Sequence, residues 1–329
     1  MPLGLPSVRP VNPLTALGLQ FMQDETDAAA DAAMPWLITK GNTGTYYIPD
    51  ARNALRAEDM RWGWNSAPPR MTEQYGSATF SAQKYGGKDV VTDDDKDNWL
   101  MGPDDLRNRT TTDLVQKLML AREVRVEGLI DAATFGTTAV TGTGQWDATT
   151  TPAANPRYDV QKAKTAIRKK IGKPGNTVII PGGVWDVVIG SQASGQAGGV
   201  IFENVKYVGE GGIREVTPEL LAKYFNVRLV KPALLIQQDT TKHVTRTVVA
   251  GLPEAGTYIW DQKEVYVVYN DANPGPKTMN GGVSFGPIKL DVKPGRDEEV
   301  EGDTIRVKQV VDEVICVNAA WNVLTTVLQ

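Results

Sequence analysis

Residues 155–191 read NPRYDVQKAKTAIRKKIGKPGNTVIIPGGVWDVVIGS, and their reading decides the fold. A polar, basic helix runs into a Gly-Lys-Pro-Gly turn, then a short apolar strand, a Pro-Gly-Gly break and a second helix opening with Val184 and Trp185. Each junction has a physical cause. The ring of Pro156 excludes the α region for Asn155, so the chain enters extended or in a turn. Gly172 suits the position just past a helix end, and Pro174 forbids continuation. Val178, Ile179 and Ile180 form a β-branched run too short for a helix, which predicts a strand covered on both faces.

Working outward, residues 217–227 (TPELLAKYFNV) give the next clear start signal. Thr217 is placed to cap a helix, Pro218 takes its first position and Glu219 its first turn. A strand is expected over 226–230. Towards the C-terminus strands and turns alternate. Expected strands lie at 256–260, 264–269, 283–286, 304–311 and 314–318, with a tight turn at Asp261 and Gln262. Upstream, residues 104–135 form the longest expected helix. Val115, Met119, Val126, Leu129 or Ile130, and Ala133 share one face, Lys117, Arg125 and Glu127 occupy the rest, and Asp104 and Asp105 suit its start. At 1.5 Å per residue such a helix spans about 45 Å, too long for an average globular core.

Residues 34–98 read as extended, with strands at 36–39, 45–48 and 77–85. Between them lies a polar excursion, 52–71, holding Arg52, Arg56, Arg61, Trp62, Trp64 and Arg70. It has too few aliphatic residues for a core of its own, and Arg and Trp dominate binding hot spots, so these six are the candidate inter-subunit contacts. Residues 1–33 read as an arm: Pro2, Pro6, Pro10 and Pro13 break regular structure, and a short helix is expected within 24–33.

The 329 residues suggest about two domains. A net charge of −4 argues against a dedicated nucleic-acid binder. No apolar run reaches the 18–20 residues of a membrane helix, and the N-terminus lacks a secretory layout. Cys316 is the one cysteine and is expected buried and inert. Catalysis finds little to use: the one histidine, His243, lies in a polar run and reads as a surface residue. The glycine pairs match no phosphate-binding pattern and read as turns. Asp93, Asp95 and Asp97 echo a calcium loop, but Asn98 stands where glycine is needed and Asp104 is shorter than the required Glu, so a solvated turn is expected. Lys162, Lys164, Arg168, Lys169 and Lys170 read as a wet basic face. No metal or cofactor is expected.

In this order of elements the chain resembles the major capsid proteins of tailed bacteriophages, with the Hong Kong 97-like fold. Three landmarks carry the likeness. G-N-T leads at 175–177 into an apolar strand, a Pro/Gly break and a V-W helix; T-x-E-x-L-A-x-x-F-x-V stands at 217–227; and W-D, V-x-V-x-Y and G-x-S-F follow one another over 260–285. The resemblance implies an α+β chain with an N-terminal arm (1–33), an extended region (34–98, its E-loop about 40–90), a peripheral domain (99–189) with the spine helix 104–135, an axial domain (190–265), and C-terminal strands (266–329) returning to the peripheral domain. The excursion corresponds to the E-loop, which reaches onto the neighbouring subunit.

The function so implied is a major head protein that assembles with itself into hexamers and pentamers of an icosahedral shell around double-stranded DNA. It would act in the virion, after assembly in the host cytoplasm, without a membrane. A separate scaffolding protein, a portal and a decoration protein are its expected partners; the scaffold is expected to be separate because no charged helical segment precedes the arm. Self-crosslinking is not expected, since Lys84 and Lys88 sit in watery surroundings and nothing marks Asn318 or Asn322 as their partner. A cellular encapsulating shell of the same fold and a β-rich tail component are the alternatives. An enzyme fits least.

Overall fold

The computed structural model of the protein describes residues 12–50, 75–100, 102–141, 144–147, 154–190, 216–237, 256–271, 274–275 and 278–328, with isolated positions 55, 57, 60, 61, 64 and 67. Arg52, Arg56, Trp62, Arg70 and His243 lie outside the described residues, as do the glycine turn at 209–212 and much of the expected axial domain.

The arm is more ordered than its prolines suggest. Asn12 caps helix α1 (Pro13–Asp24) by accepting from the Leu14 amide, and Pro13 takes the first helical position, where a missing N–H costs nothing. Met22 is buried, and Leu14, Leu19 and Phe21 pack partly beneath it. A short turn of helix, α2 (Ala30–Ala33), leads into β1 (Trp36–Ile38). Strands β2 (Thr43–Pro49) and β3 (Tyr75–Ser81) form an antiparallel hairpin that brackets the excursion. Next come β4 (Gln83–Thr92), the short helix α3 (Asp93–Asn98) capped by Thr92, and the long helix α4 (Pro103–Asp131). The acidic run is therefore a helix, with its carboxylates at the end the helix dipole favours. In α4, Val115, Met119, Val126 and Ile130 are buried, while Leu129 turns outward.

Beyond β5 (Gly136–Ala139), helix α5 (Pro156–Ile171) is capped by Asn155 and ends at Gly172, whose φ of 79° is the left-handed conformation that glycine adopts at least cost. It feeds β6 (Thr177–Pro181), buried along its whole length, and α6 (Gly182–Gly190). Gly182 and Gly183 open that helix instead of forming a separate break. A Cβ on Gly182 would stand 2.2 Å from the Tyr258 ring. Helix α7 (Pro218–Phe225) is capped by Thr217 as expected, and is followed by β7 (Leu229–Ala233), β8 (Ile236–Gln237), β9 (Thr257–Tyr258) and β10 (Val265–Val268). Two long strands, β11 (Gly282–Asp297) and β12 (Gly302–Ile315), precede a 3-10 turn (Asn318–Ala320) and β13 (Trp321–Thr325).

Two main sheets result, in the orders β1-β11-β12-β4 and β5-β13-β10-β6-β7. Helices α5, α6 and α7 cover one face of the five-stranded sheet; α2 and the second half of α4 cover the other. The first half of α4, with α1, packs on the four-stranded sheet.

The pairings link segments from different expected divisions. The block 155–189, assigned to the peripheral domain, shares a sheet with β7 and β10, because the uniformly apolar β6 must be covered on both faces and paired on both edges. The C-terminal strands divide: β11 and β12 build the four-stranded sheet, while β13 returns to the five-stranded one. Within 40–90, β4 pairs with β12 over its full length and buries Val91 against α4. The basic helix is not wholly wet. Lys164 is only 5% exposed and donates to the carbonyls of Phe225 (3.0 Å) and Asn226 (2.6 Å). A cation there meets the negative end of the α7 dipole. Burial, aided by Arg157, pushes the Lys164 ammonium pKa down. Cys316 is partly exposed, not fully buried, although burial pushes its thiol up to about 12.

Two glycines test the packing in opposite directions. Gly286 sits where the β11–β12 register shifts, and a Cβ there would stand 2.0 Å from the Val310 carbonyl oxygen. Gly286→Ala should destabilise the protomer by about 1–3 kcal/mol, the scale of overpacking. Gly128, in α4, has nothing within 4 Å of its missing Cβ. Gly128→Ala should stabilise by about 0.5–1 kcal/mol, the glycine penalty in a helix. Urea unfolding of both variants, with shifts of the midpoint in opposite directions, is the check.

Candidate functional site

The hairpin β2–β3 emerges beside β11 and is anchored there by three rings. Phe285 stacks between Tyr46 (centroids 5.0 Å apart) and Phe80 (4.8 Å), and both hairpin rings are buried. Gly44 makes room for this stack, since a Cβ there would stand 2.8 Å from the Phe80 ring. The Ser81 amide donates to the Asp312 carboxylate at 2.7 Å, fixing the second strand. The hairpin base is thus packed against β11 and β12.

Of the six candidate contact residues, the structure describes two. Trp64 is fully exposed, with a relative accessibility of 103%, and Arg61 is exposed. Met60 and Leu55 are also exposed, and the Leu55 side chain approaches Gly172 at the end of α5. Arg52, Arg56, Trp62 and Arg70 lie outside the described residues.

A second feature escaped sequence reasoning altogether. Two successive charged residues in the middle of α4, Arg122 and Glu123, are buried, at 4% and 1% exposure. Glu123 accepts from the amides of Ala29 (2.7 Å) and Ala30 (3.0 Å) in the arm and from the Trp260 indole N–H (2.7 Å). Arg122 binds the Asp31 carboxylate, donates to Ser284 Oγ (3.1 Å) and the Met34 carbonyl (3.3 Å), and lies 5.3 Å from the Trp36 ring centroid. One turn on, Arg125 pairs with Glu313 at 2.9 Å and stacks 3.7 Å over Tyr85. These residues join the arm, the long helix and both main sheets. Only the 3.6-residue spacing of apolar neighbours around them hinted at burial.

Burial raises the Glu123 carboxyl pKa, opposed by its amide and indole donors and by Arg122. At Asp31 burial also favours the proton, but Arg122 and Lys289 outweigh it and hold the pKa at about 2. A cavity of about 350 Å³ adjoins the joint, between the arm and α4, with Met22, Lys231 and Lys289 in its wall. Among the described residues no group of three or more His, Cys, Asp or Glu is placed to hold a metal ion, and no helix is long and apolar enough to cross a membrane. The acidic run is engaged by cations of the chain itself: Asp93 pairs with Lys96 and Arg296, and Asp303 with Lys96 and Arg107.

No protein-family model matches the chain, and neither does any curated protein sequence. Solved structures do match its shape. A phage-related protein from Bordetella bronchiseptica RB50 aligns with a TM-score of 0.67 at 14% identity, covering 98% of this chain and 99% of its own. A structure from Mycobacterium phage Bobi aligns at 0.51 and 10% identity, over 99% and 95% of the two chains. The capsid structure of cyanophage P-SCSP1u aligns at 0.50 and 10% identity, over 88% and 85%. The chain has the mixed α+β fold of phage capsid proteins.

Glu123 provides a pH test with a definite sign. Because its folded pKa is raised, the folded state binds the proton more tightly, and stability falls as pH rises from the ordinary 4.5 through the raised value. Asp31 acts oppositely: its contribution is present above 3.8 and is lost as pH falls through about 2. Glu123→Gln removes the first effect and turns one amide N–H towards the donors. It should cost about 1–3 kcal/mol near pH 5, and the gap should narrow towards pH 8. Thermal unfolding of both proteins across that range is the measurement; a gap that widens with pH contradicts the assignment.

Proposed function

We propose that the chain is a major capsid protein whose copies assemble, as hexamers and pentamers, into an icosahedral shell enclosing double-stranded DNA. The observation that carries this reading is the exposed Trp64 on an excursion held out by an anchored hairpin. Trp is among the residue types enriched at the core of contacts with another chain. Ile38, Met60 and Leu100 are exposed as well, at 74%, 69% and 98%. A protomer with so much apolar surface in water gains by burying it against neighbours. The fold shared with a cyanophage capsid supports the same reading.

The role is structural rather than catalytic. The excursion, with Arg52, Arg56, Arg61, Trp62, Trp64 and Arg70, acts as the contact with the adjacent subunit. The hairpin and the four-stranded sheet with α4 form the peripheral part, and the five-stranded sheet with α5, α6 and α7 forms the axial part. The protein resides in the virion after assembly in the host cytoplasm, with a separate scaffolding protein, a portal and a decoration protein as partners. The packaged DNA is contacted without sequence specificity.

Electron microscopy of particles purified from cells making the protein with its assembly partners tests this reading. Closed shells of one size that hold nuclease-protected double-stranded DNA are expected. Shells that enclose protein and no DNA favour the cellular encapsulating alternative, and small discrete oligomers overturn both. Trp64→Ala should lower shell yield severalfold while leaving the circular dichroism of the soluble protomer unchanged. Wild-type yield from that variant removes Trp64 from the contact.

A further inference from the structure

Helix α5 presents one strongly basic face to solvent. Tyr158, Lys162, Thr165 and Lys169 follow at spacings of four, three and four residues, so they form one row along the helix. All four are exposed, Tyr158 at 63%, and Arg157 and Arg168 flank the row. Residues 155–176 hold seven cations against the single acid Asp159, a net +6 in a chain whose total is −4. Asp159 is turned inward, accepting from the Trp146 indole at 3.2 Å. Among the described residues, Arg157, Lys162, Arg168 and Lys169 make no ion pair.

The compensating charge lies elsewhere in the same chain. The end of the four-stranded sheet, made of α3 and the turn between β11 and β12, is strongly acidic. Residues 93–105 and 297–303 together contain eleven acids and one cation, Lys96. The nearby cations are already engaged: Lys96 and Arg296 at Asp93, and Arg107 at Asp303. Asp94, Asp97 and Glu299 are exposed and make no ion pair among the described residues. Two apolar side chains stand among these acids in water, Leu100 at 98% and Val300 at 48% exposure. Among the described residues no ion pair links the two regions within one protomer, because α5 lies on the five-stranded sheet and the acidic end on the other.

We propose that the exposed face of α5 is the docking surface for the acidic end of the four-stranded sheet of a second copy of this chain. This rests on the self-assembly reading and deepens it by naming one contact. Opposite charges meet, and each side brings an exposed apolar group, Tyr158 on one and Leu100 with Val300 on the other. Such a contact joins two different patches, so repeating it builds a ring when the rotation closes. Charge complementarity of this kind also sets which surfaces pair and how fast they find each other. Duplex DNA is the other polyanion that a basic helix attracts, but the chain itself carries an acidic, apolar-studded counterpart whose Asp94, Asp97 and Glu299 make no ion pair among the described residues.

Charge reversal tests the pairing. One variant carries Lys162→Glu, Arg168→Glu and Lys169→Glu; a second carries Asp94→Lys, Asp97→Lys and Glu299→Lys; a third combines all six. All these side chains are exposed, and circular dichroism verifies that the variants fold. Self-association is followed by sedimentation at low salt. Each triple variant should require at least about tenfold more protein to associate, and the combined variant should recover most of the loss. Raising the salt should weaken the wild type, as screening of exposed charges demands. Triple variants that associate like the wild type overturn the contact, as does a combined variant no better than the triples. An α5 variant that associates normally but loses retention of duplex DNA assigns the face to nucleic acid instead. A wild-type chain that stays monomeric brings down the self-assembly reading and this contact together, whereas indifferent variants of an associating wild type remove this contact alone.

Discussion

The structure depends on one adjacent pair of buried charges, Arg122 and Glu123, in the middle of the long helix. Successive residues on a helix point about 100° apart, so the two side chains serve different neighbours. Glu123 faces the arm and the Trp260 side of the five-stranded sheet; Arg122 faces Met34, Ser284 and Asp31 on the side of the four-stranded sheet. Ions buried in this way are costly unless paired: Arg122 Nε makes no hydrogen bond but lies 3.8 Å from the Glu313 carboxylate, and removing one partner leaves a charge that costs about 3–5 kcal/mol. The arm, α4 and both sheets must therefore be in register together. This cost selects one mutual arrangement, where apolar packing alone would accept several.

Around that joint, the apolar surface of the chain divides in two. One part is sealed within the protomer: the clusters on both faces of the five-stranded sheet contain Trp146, Trp260 and Trp321, all essentially inaccessible. The other part is left in water, at Trp64, Leu100, Ile38 and Tyr158. These residues belong to distinct places: the excursion, the acidic end, the β1 edge and the outer face of α5. Exposed apolar groups at several separate places suit contacts in several directions, which the proposed closed shell would require.

Much of the fold was legible because its signals are local. Asn155, Thr217 and Gly172 mark helix ends through their own hydrogen bonds and backbone preferences, and each does so as expected. The buried face of α4 followed from spacing. What was missed depends on partners far away in sequence. Arg122, Glu123 and Lys164 look like ordinary surface charges until residues about 60–160 positions distant close over them. Helix α1 was hidden because Pro13 reads as a breaker, although at the first helical position it is compatible with the helix. The length of β11 was hidden by Pro287, just past the expected strand, and by Pro294; the first sits at the register shift between Phe285 and Ile288, and the second is tolerated because β1 pairs only with Ser284, Phe285 and Gly286 and leaves the later edge open. Of the candidate contacts, Trp64 is exposed, and its place in a contact with another chain is part of the proposal.

The claim that the arm and both sheets are held by one buried joint is tested most directly by native-state hydrogen exchange of wild type and Glu123→Ala, read by peptide. The account predicts a joint loss of protection: the arm from 27 to 36, the β9–β10 segment around Trp260 and the part of β11 around Ser284 should all exchange faster, while 156–171 in α5 stays as protected as before. Faster exchange confined to the Ala29 and Ala30 amides, with β11 and the Trp260 segment unchanged, would contradict it.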